Sequence, residues 1–226
     1  MNPIPASTVL LLRDGTHGLE VLMGRRRDSA TFGGFWAFPG GVLEDVDHDA
    51  GLTGMSSADG PWRSAALRET AEEVGVFVTE PDLADPPVGL KGAELIRAVA
   101  DAGARFAGER LVYVANWITP EGAPRRFNTR FFATAVDGGH VDPDSELAEV
   151  TWIAPGQALA RHDSASMAVM LPTMAQLRLL EPFGDADSFL RSVDQAVPVA
   201  PIEPRLIATE EGFVFLLPGD EGYDSP

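Results

Sequence analysis

Arg68-Glu69-Thr70-Ala71-Glu72-Glu73-Val74-Gly75 places three carboxylates within five positions of the chain. On a helix turning ~100° per residue, Leu67, Thr70, Ala71 and Val74 fall to one side, and Glu69, Glu72 and Glu73 fall to the other. Like charges at i,i+3 and i,i+4 repel by a few tenths of a kcal/mol per pair, so such a turn loses stability unless something offsets it. Arg68, four residues before Glu72, relieves part of the repulsion, but one cation does not neutralise three anions. A hard divalent cation such as Mg²⁺ or Mn²⁺ would, because oxygen-only ligands favour hard ions and a sparse ligand set leaves room for water and phosphate oxygens. The same pattern also describes a solvated acidic face closed by Gly75 as a C-cap, and the helix taken alone does not choose between the two.

Upstream lies Phe38-Pro39-Gly40-Gly41-Val42-Leu43-Glu44-Asp45-Val46-Asp47. Adjacent glycines let the backbone approach a ligand closely and turn with positive φ. Together with the glutamate helix, this stretch resembles the Nudix hydrolases, whose signature reads G-x5-E-x7-R-E-U-x-E-E-x-G-U with U a bulky aliphatic residue. Gly41, Arg68, Glu69, Glu72, Glu73, Gly75 and Val76 match it. Three positions depart: Asp47 stands for the first glutamate, Thr70 for the aliphatic residue after Arg-Glu, and twenty residues rather than seven separate Asp47 from Arg68. The extra segment, residues 48–61, is rich in Gly, Ser, Asp and Ala and is expected to be a surface loop that leaves the helix intact. Loop length costs closure entropy only logarithmically, so glycine loop and helix can still meet. The lengthened box is similar to that of a Nudix subgroup containing a peroxisomal acyl-coenzyme A diphosphatase and bacterial relatives.

The resemblance implies an α/β fold, a Nudix α/β/α sandwich with a mixed β-sheet, here carrying extra helices and a C-terminal extension. It implies a pyrophosphohydrolase using Mg²⁺ or Mn²⁺, with Glu69, Glu72 and Glu73 as metal ligands and Gly41 offering a backbone group beside them. Arg68 would orient the glutamates. Two other acidic runs bear on the site. Asp45-x-Asp47-x-Asp49 imitates a calcium loop but has Ala50 for the required glycine and Ser56 for the bidentate glutamate, and Asp142-x-Asp144-x-Glu146 fails likewise. The second run enters Glu149-Val150-Thr151-Trp152-Ile153, similar to the segment from which many Nudix enzymes bring a further glutamate to the metals. Glu146 is the first choice for that role, as general base or extra ligand, and Glu149 the second; each is also simply a solvent-exposed loop acid in the competing reading.

The net charge is −17, from 34 acidic and 17 basic residues. That balance argues against nucleic-acid polymers, whose binding depends on clustered Lys and Arg. An anionic pyrophosphate then needs local positive charge from metal or arginine. Only Lys91 among the basic residues is lysine, and guanidinium suits bidentate phosphate contacts. Arg25 and Arg26 before the glycine loop, Gly40 within it, and Arg126 and Arg130 downstream are therefore the expected substrate-binding residues, although exposed arginines balancing an acidic surface would look the same. Coenzyme A diphosphatases of the family carry L-L-T-x-R-[S/A]-x3-R-x3-G-x-V-x-F-P-G-G. Leu22, Arg25, Gly34 and Phe38 to Gly41 agree with it; Arg26, Ala30 and Trp36 do not, so coenzyme A is one candidate among pyrophosphate substrates. Phe131 and Phe132 read first as core.

The absence of cysteine excludes disulfides, thiolate metal sites and thiol nucleophiles. Met1-Asn2-Pro3-Ile4-Pro5 has no basic leader and no apolar run nears ~18 residues, so a cytoplasmic protein without membrane contact is expected. Families resembling this one are commonly dimeric, which makes a homodimer an expectation. The length suits one domain over residues 1–226, embellished by the 48–61 insertion, a helix at 92–105 and an extension at 196–226.

The positioning elements follow from periodicity. Residues 7–13 and 20–25 read as a hairpin around Asp14-Gly15, and 35–38 as a short strand. Residues 62–73 form the glutamate helix, with Ser64 a cap near its start; 81–87 break the chain. Strands are expected at 111–119, 129–136 and 149–153, helix around Ala158 and over 164–180 with Pro172 as kink or first-turn residue, and a last hairpin over 205–217. Two other classes of function compete: a catalytically silent nucleotide sensor, which loss of box glutamates would favour, and an interaction protein whose acidic helix binds a basic partner, which the glycine loop does not support.

Overall fold

The computed structural model describes residues 2–28, 33–138, 141, 143–194, 199–209 and 212–224. Ala30, Asp142 and the first residues of the proline-rich 196–204 stretch lie outside the described residues.

The order of elements is β1 (Ile4–Gly15), β2 (Gly18–Arg26), β3 (Trp36–Ala37), β4 (Gly40–Val42), α1 (Ala50–Thr53), α2 (Gly60–Val74), β5 (Thr79–Glu80), α3 (Gly92–Asp101) and β6 (Arg105–Phe106). There follow β7 (Val112–Ile118), β8 (Phe127–Ala135), β9 (Leu147–Ile153), α4 (Pro155–Asp163), α5 (Leu171–Leu180), α6 (Ala186–Asp194), β10 (Pro201–Ile202), β11 (Arg205–Thr209) and β12 (Gly212–Leu216). The main sheet runs β10-β7-β8-β1-β2-β3, with β4 also on β1 and β9 also on β2. It is mixed: β1 runs parallel to β8 and antiparallel to β2 and β4.

β1 sits at the centre because both of its faces are apolar, as expected of a strand covered on both sides. Leu10 and Leu12 pack with Val21, Met23, Phe131, Leu177, Leu180 and Phe189 beneath α4, α5 and α6. Val9 and Leu11 pack with Leu22, Leu67, Val74, Leu95, Val99 and Phe132 beneath α2 and α3. Helices therefore cover both faces, the α/β/α arrangement expected from the sequence.

The hairpin forms, but its turn is Thr16-His17, since Gly15 pairs with Gly18. Gly18, directly after the turn, is the glycine with positive φ, at 115°. The 48–61 segment is not a plain loop: it contains α1, buries Thr53, and gives Gly60 and Pro61 to the first turn of α2. Ser64 consequently lies inside α2 rather than capping it, and its buried hydroxyl donates to Asp47 Oδ1 at 2.8 Å. α2 ends where expected, at Gly75 in the left-handed region (φ 67°). α3 stops at Asp101, short of residue 105, because Arg105 and Phe106 pair with β5. Only 171–180 of the expected 164–180 helix forms, with Pro172 in its first turn, where the missing N–H costs nothing. α6 was not anticipated, although Ala186, Phe189, Leu190 and Val193 have helical spacing and Asp185 accepts the Ser188 N–H at 2.8 Å. The C-terminal hairpin forms as β11–β12, and β10 extends the main sheet beside Asn116 and Trp117. Among the described residues no helix is long and apolar enough to cross a membrane.

Candidate functional site

α2 packs against β1 and β4, which brings the glutamate face to the glycine loop rather than to water. Side-chain exposure falls to 14% for Glu69, 7% for Glu72 and 5% for Glu73. A solvated acidic face is thereby set aside. Thr70 meets the packed side without penalty, since its hydroxyl donates to Ala66 O at 2.8 Å.

Arg68 is fully buried and organises the cluster. Its Nη2 donates to Asp47 Oδ2 (2.9 Å) and the Val42 carbonyl (3.1 Å), its Nε to Asp47 Oδ1 (3.2 Å), and its Nη1 to Glu69 (2.9 Å) and Glu72 (3.4 Å). Burial works against its charge, yet the hydrogen bond to Asp47 and the charges of Glu69, Asp47 and Glu72 hold its pKa above the ordinary value. Asp47 also accepts from Ser64 and from the Glu44 N–H (2.9 Å). The short carboxylate standing for the family's first glutamate is thus the partner of the buried arginine.

The two glycines are required by close approach. A Cβ on Gly40, whose φ is 154°, would lie 2.3 Å from Ser7 O, and one on Gly41 would lie 2.4 Å from Glu69 Oε1. Gly40 N–H donates to Glu73 Oε2 at 2.9 Å, while Arg26 Nη2 reaches Glu73 Oε1 (3.2 Å) and the Gly40 carbonyl (3.1 Å). Burial pushes the Glu69 carboxyl up to about 7 against the pull of Arg68, and pushes Glu73 up to about 8 against Arg26 and Gly40 N–H.

These groups open onto a cavity of about 420 Å³ lined at one end by Arg26, Gly40, Gly41, Glu69, Glu73 and Glu146. Towards the other end come Phe131, Thr129, Phe127 and Arg125 of the β8 side, with Met170 and Pro172 of the α5 entry. The size is that of a small-ligand pocket with few polar groups and an apolar body. The loop carrying Glu146 is tied down on both sides: Asp144 N–H donates to the Glu73 carbonyl (2.9 Å), and Lys91 Nζ donates to Asp144 Oδ2 (2.9 Å) with Glu146 at 3.8 Å. Gly92 N–H meanwhile donates to Glu72 Oε1 at 2.7 Å, so the start of α3 braces both the helix and the loop. The Asp144 hydrogen bond raises the Lys91 pKa.

Not every expected site residue reaches the cavity. Glu72 is held by Gly92 and Arg68 and does not line it. Glu149 is exposed on β9, opposite Arg25, which is 3.6 Å from Asp28. Arg126 is bound to the Thr119 carbonyl (2.9 Å) and to Glu203. Arg130 stacks over Trp62 at 3.7 Å on the α2 side of the sheet, the face opposite Phe131. Arg125, which the sequence offers beside Arg126 as part of a downstream arginine cluster, and Lys91 and Asp144 have no assigned site role in the sequence reading, because those roles depend on neighbours distant in the chain.

Among the described residues no three Asp, Glu or His side chains converge into a preformed ion site. The donor set nevertheless fits a hard divalent cation: Glu69 and Glu73 are buried oxygen donors on one cavity wall, and burial, with a smaller contribution from the charges of Glu69 and Glu146, lifts the Glu73 pKa.

An α/β/α sandwich with a buried arginine-organised glutamate helix against a glycine loop defines a hydrolase scaffold. The comparisons agree: the NUDIX domain model matches residues 2–174. The chain belongs to the Nudix family, and the enzyme class that goes with it is pyrophosphohydrolase. It is 27% identical over 214 residues to putative nudix hydrolase 7 of Caenorhabditis elegans, covering 90% of this chain and 70% of that protein. It is 28% identical over 220 residues to the acyl-coenzyme A diphosphatase NUDT19 of Homo sapiens, covering 83% of this chain and 57% of that protein. The chain thus spans little more than half the length of the human relative. A crystal structure of a NUDIX hydrolase from Alicyclobacillus acidocaldarius superposes with a TM-score of 0.75 at 27% identity, covering 87% of this chain and 99% of that one.

Proposed function

We propose that this protein hydrolyses the pyrophosphate bond of a nucleoside diphosphate linked to another moiety, with coenzyme A or acyl-coenzyme A as the first substrates to test. The observation that carries the reading is the pair Glu69 and Glu73, buried and facing one cavity beside Gly40-Gly41, with Arg26 across from them. The acyl-coenzyme A diphosphatase activity named for the human relative supports the choice of substrate.

Glu69 and Glu73 would hold Mg²⁺ or Mn²⁺, with Glu146 and a Gly40 or Gly41 backbone group beside them. When bound, the ion supplies positive charge that stabilises phosphoryl transfer. The chain's own residues do the remainder. Water attacks one phosphorus, the anhydride P–O bond breaks, and a nucleoside monophosphate and a phosphorylated second product leave. Glu146, exposed at the cavity rim, accepts the proton of the attacking water. Arg26 keeps Glu73 oriented and presents charge to the pyrophosphate, and Arg68 holds Glu69 in place from behind. The apolar stretch from Phe131 to Phe127 accommodates the nucleoside or pantetheine portion.

The test is product release from coenzyme A, acyl-coenzyme A, ADP-ribose, NADH, dinucleoside polyphosphates and nucleoside triphosphates, with Mg²⁺, with Mn²⁺ and with chelator. Metal-dependent cleavage of coenzyme A esters, lost in Glu73→Gln, is expected. Binding of these compounds without turnover under any metal condition would instead establish a nucleotide sensor.

A further inference from the structure

Among the charged side chains lining the cavity, one is unspent. Glu69 is engaged by Arg68 and Glu73 by Arg26 and Gly40 N–H. Arg26 in turn is used on Glu73 and the Gly40 carbonyl, and Glu146 faces Lys91 and Arg26 at 3.8 and 4.0 Å. Arg125 is exposed at the far end, and among the described residues it has no carboxylate partner, in a chain with twice as many acids as bases. Its guanidinium lies 4.9 Å over the Phe127 ring, which also lines the cavity. A guanidinium stacked on an aromatic ring is held in place while its N–H edge stays available to an oxyanion.

The register of the strands gives the distance. Gly40, Thr8 and Phe131 lie in one row across β4, β1 and β8, and Phe127 is four residues further along β8. At ~3.3 Å per residue and ~4.8 Å per strand, the glycine loop and Phe127 are about 16 Å apart. The reach of the arginine side chain shortens the gap, and the remaining span suits a nucleoside hanging from the pyrophosphate.

Resting on the proposed pyrophosphohydrolase reading, we infer that Arg125, stacked on Phe127, is a specificity residue that recognises a second phosphoryl group carried on the ribose of the substrate, away from the scissile bond. The chemistry is a charge-assisted, two-pronged hydrogen bond to a phosphate monoester. The site would separate substrates that differ only in that group.

Binding tests this without turnover. Calorimetry with the full chain measures adenosine 3′,5′-bisphosphate and adenosine 2′,5′-bisphosphate against AMP, for the parent, Arg125→Gln and Arg125→Lys. The parent should prefer one bisphosphate by about tenfold at low salt, as expected for one partly exposed charge-assisted contact, and less at high salt. Arg125→Gln should abolish the preference and Arg125→Lys retain part of it; the isomer preferred identifies the ribose position. In kinetics, Arg125→Gln should lower kcat/KM for coenzyme A about tenfold more than for 3′-dephospho-coenzyme A, or for NADPH more than for NADH, mainly through KM. No bisphosphate preference in the parent, or a preference untouched by Arg125→Gln, overturns the assignment. Bisphosphate preference lost in Arg125→Gln, in a protein that cleaves none of the pyrophosphates, would refute the hydrolase reading and leave the subsite standing.

Discussion

Asp47→Asn separates a structural carboxylate from a metal ligand. Asp47 is 1% exposed and accepts four hydrogen bonds, two of them from Arg68, whose side chain is completely buried. The amide keeps the size, removes the charge and offers N–H groups where two donors already point. Breaking a buried ion pair by neutralising one partner costs about 3–5 kcal/mol. Here the lower end applies, because Arg68 retains Glu69 at 2.9 Å and Glu72 at 3.4 Å. At about 2–4 °C per kcal/mol for a chain of this size, a loss near 3 kcal/mol lowers Tm by about 6–12 °C. The assay is thermal unfolding followed by circular dichroism at neutral pH in excess chelator. Removing a pure metal ligand would leave the chelated Tm unchanged and weaken only the stabilisation by Mg²⁺. A chelated Tm within about 1 °C of the parent would therefore refute the ion-pair argument.

Gly41→Ala would put a Cβ 2.4 Å from Glu69 Oε1, displacing the carboxylate by about an ångström; turnover should fall about 100-fold in steady-state assays, with secondary structure intact by circular dichroism. Glu69 and Glu73 have folded-state pKa values near 7 and 8, against 4.5 ordinarily, so the folded chain retains protons that the unfolded chain has released. Their contribution to stability is full below about pH 4.5 and lost as pH rises through 8. Urea unfolding of the chelated protein from pH 5 to 8.5 should show that decline, with a shallower slope in Glu73→Gln and partial reversal by Mg²⁺. Lys91→Met removes the tether on Asp144 and Glu146; turnover should drop about three- to tenfold in kcat, while Tm moves by less than about 2 °C because the pair is half exposed.

Local patterns in the chain were enough for much of the architecture. Alternating and continuous apolar runs specify β1 and β2, the Leu67-Ala71-Val74 spacing specifies α2, and Gly75 specifies its end, because helix period, pleat and left-handed caps are short-range properties. The paired glycines and the Arg-Glu-x-x-Glu-Glu spacing likewise belong to contiguous chain. The Thr16-His17 turn, the helix inside the 48–61 insertion and the shortened α3 were not legible. The turn is set by the register of β1 on β2, in which Gly15 pairs with Gly18, and the other two by packing with distant segments, Met55 on the α2 side of the core and β6 on β5.

The same division runs through the candidate site. Sequence by itself determined the donors available: oxygen carboxylates on one helical turn, guanidinium rather than ammonium, no thiolate, and a loop able to approach them. Tertiary structure alone decided how they are spent. Folding α2 onto β1 and β4 buries Glu73 and turns it to Gly40 and Arg26, and assigns Glu72 to the α3 terminus. It also makes Asp47 the counter-charge of Arg68, sends Arg130 to the Trp62 side, and leaves Arg125 facing the cavity. Burial and ion pairing are settled by which strand lies beside which, and that is a property of contacts spanning more than a hundred residues, such as Arg26 against Glu146 and β1 against β8, invisible to any local spacing.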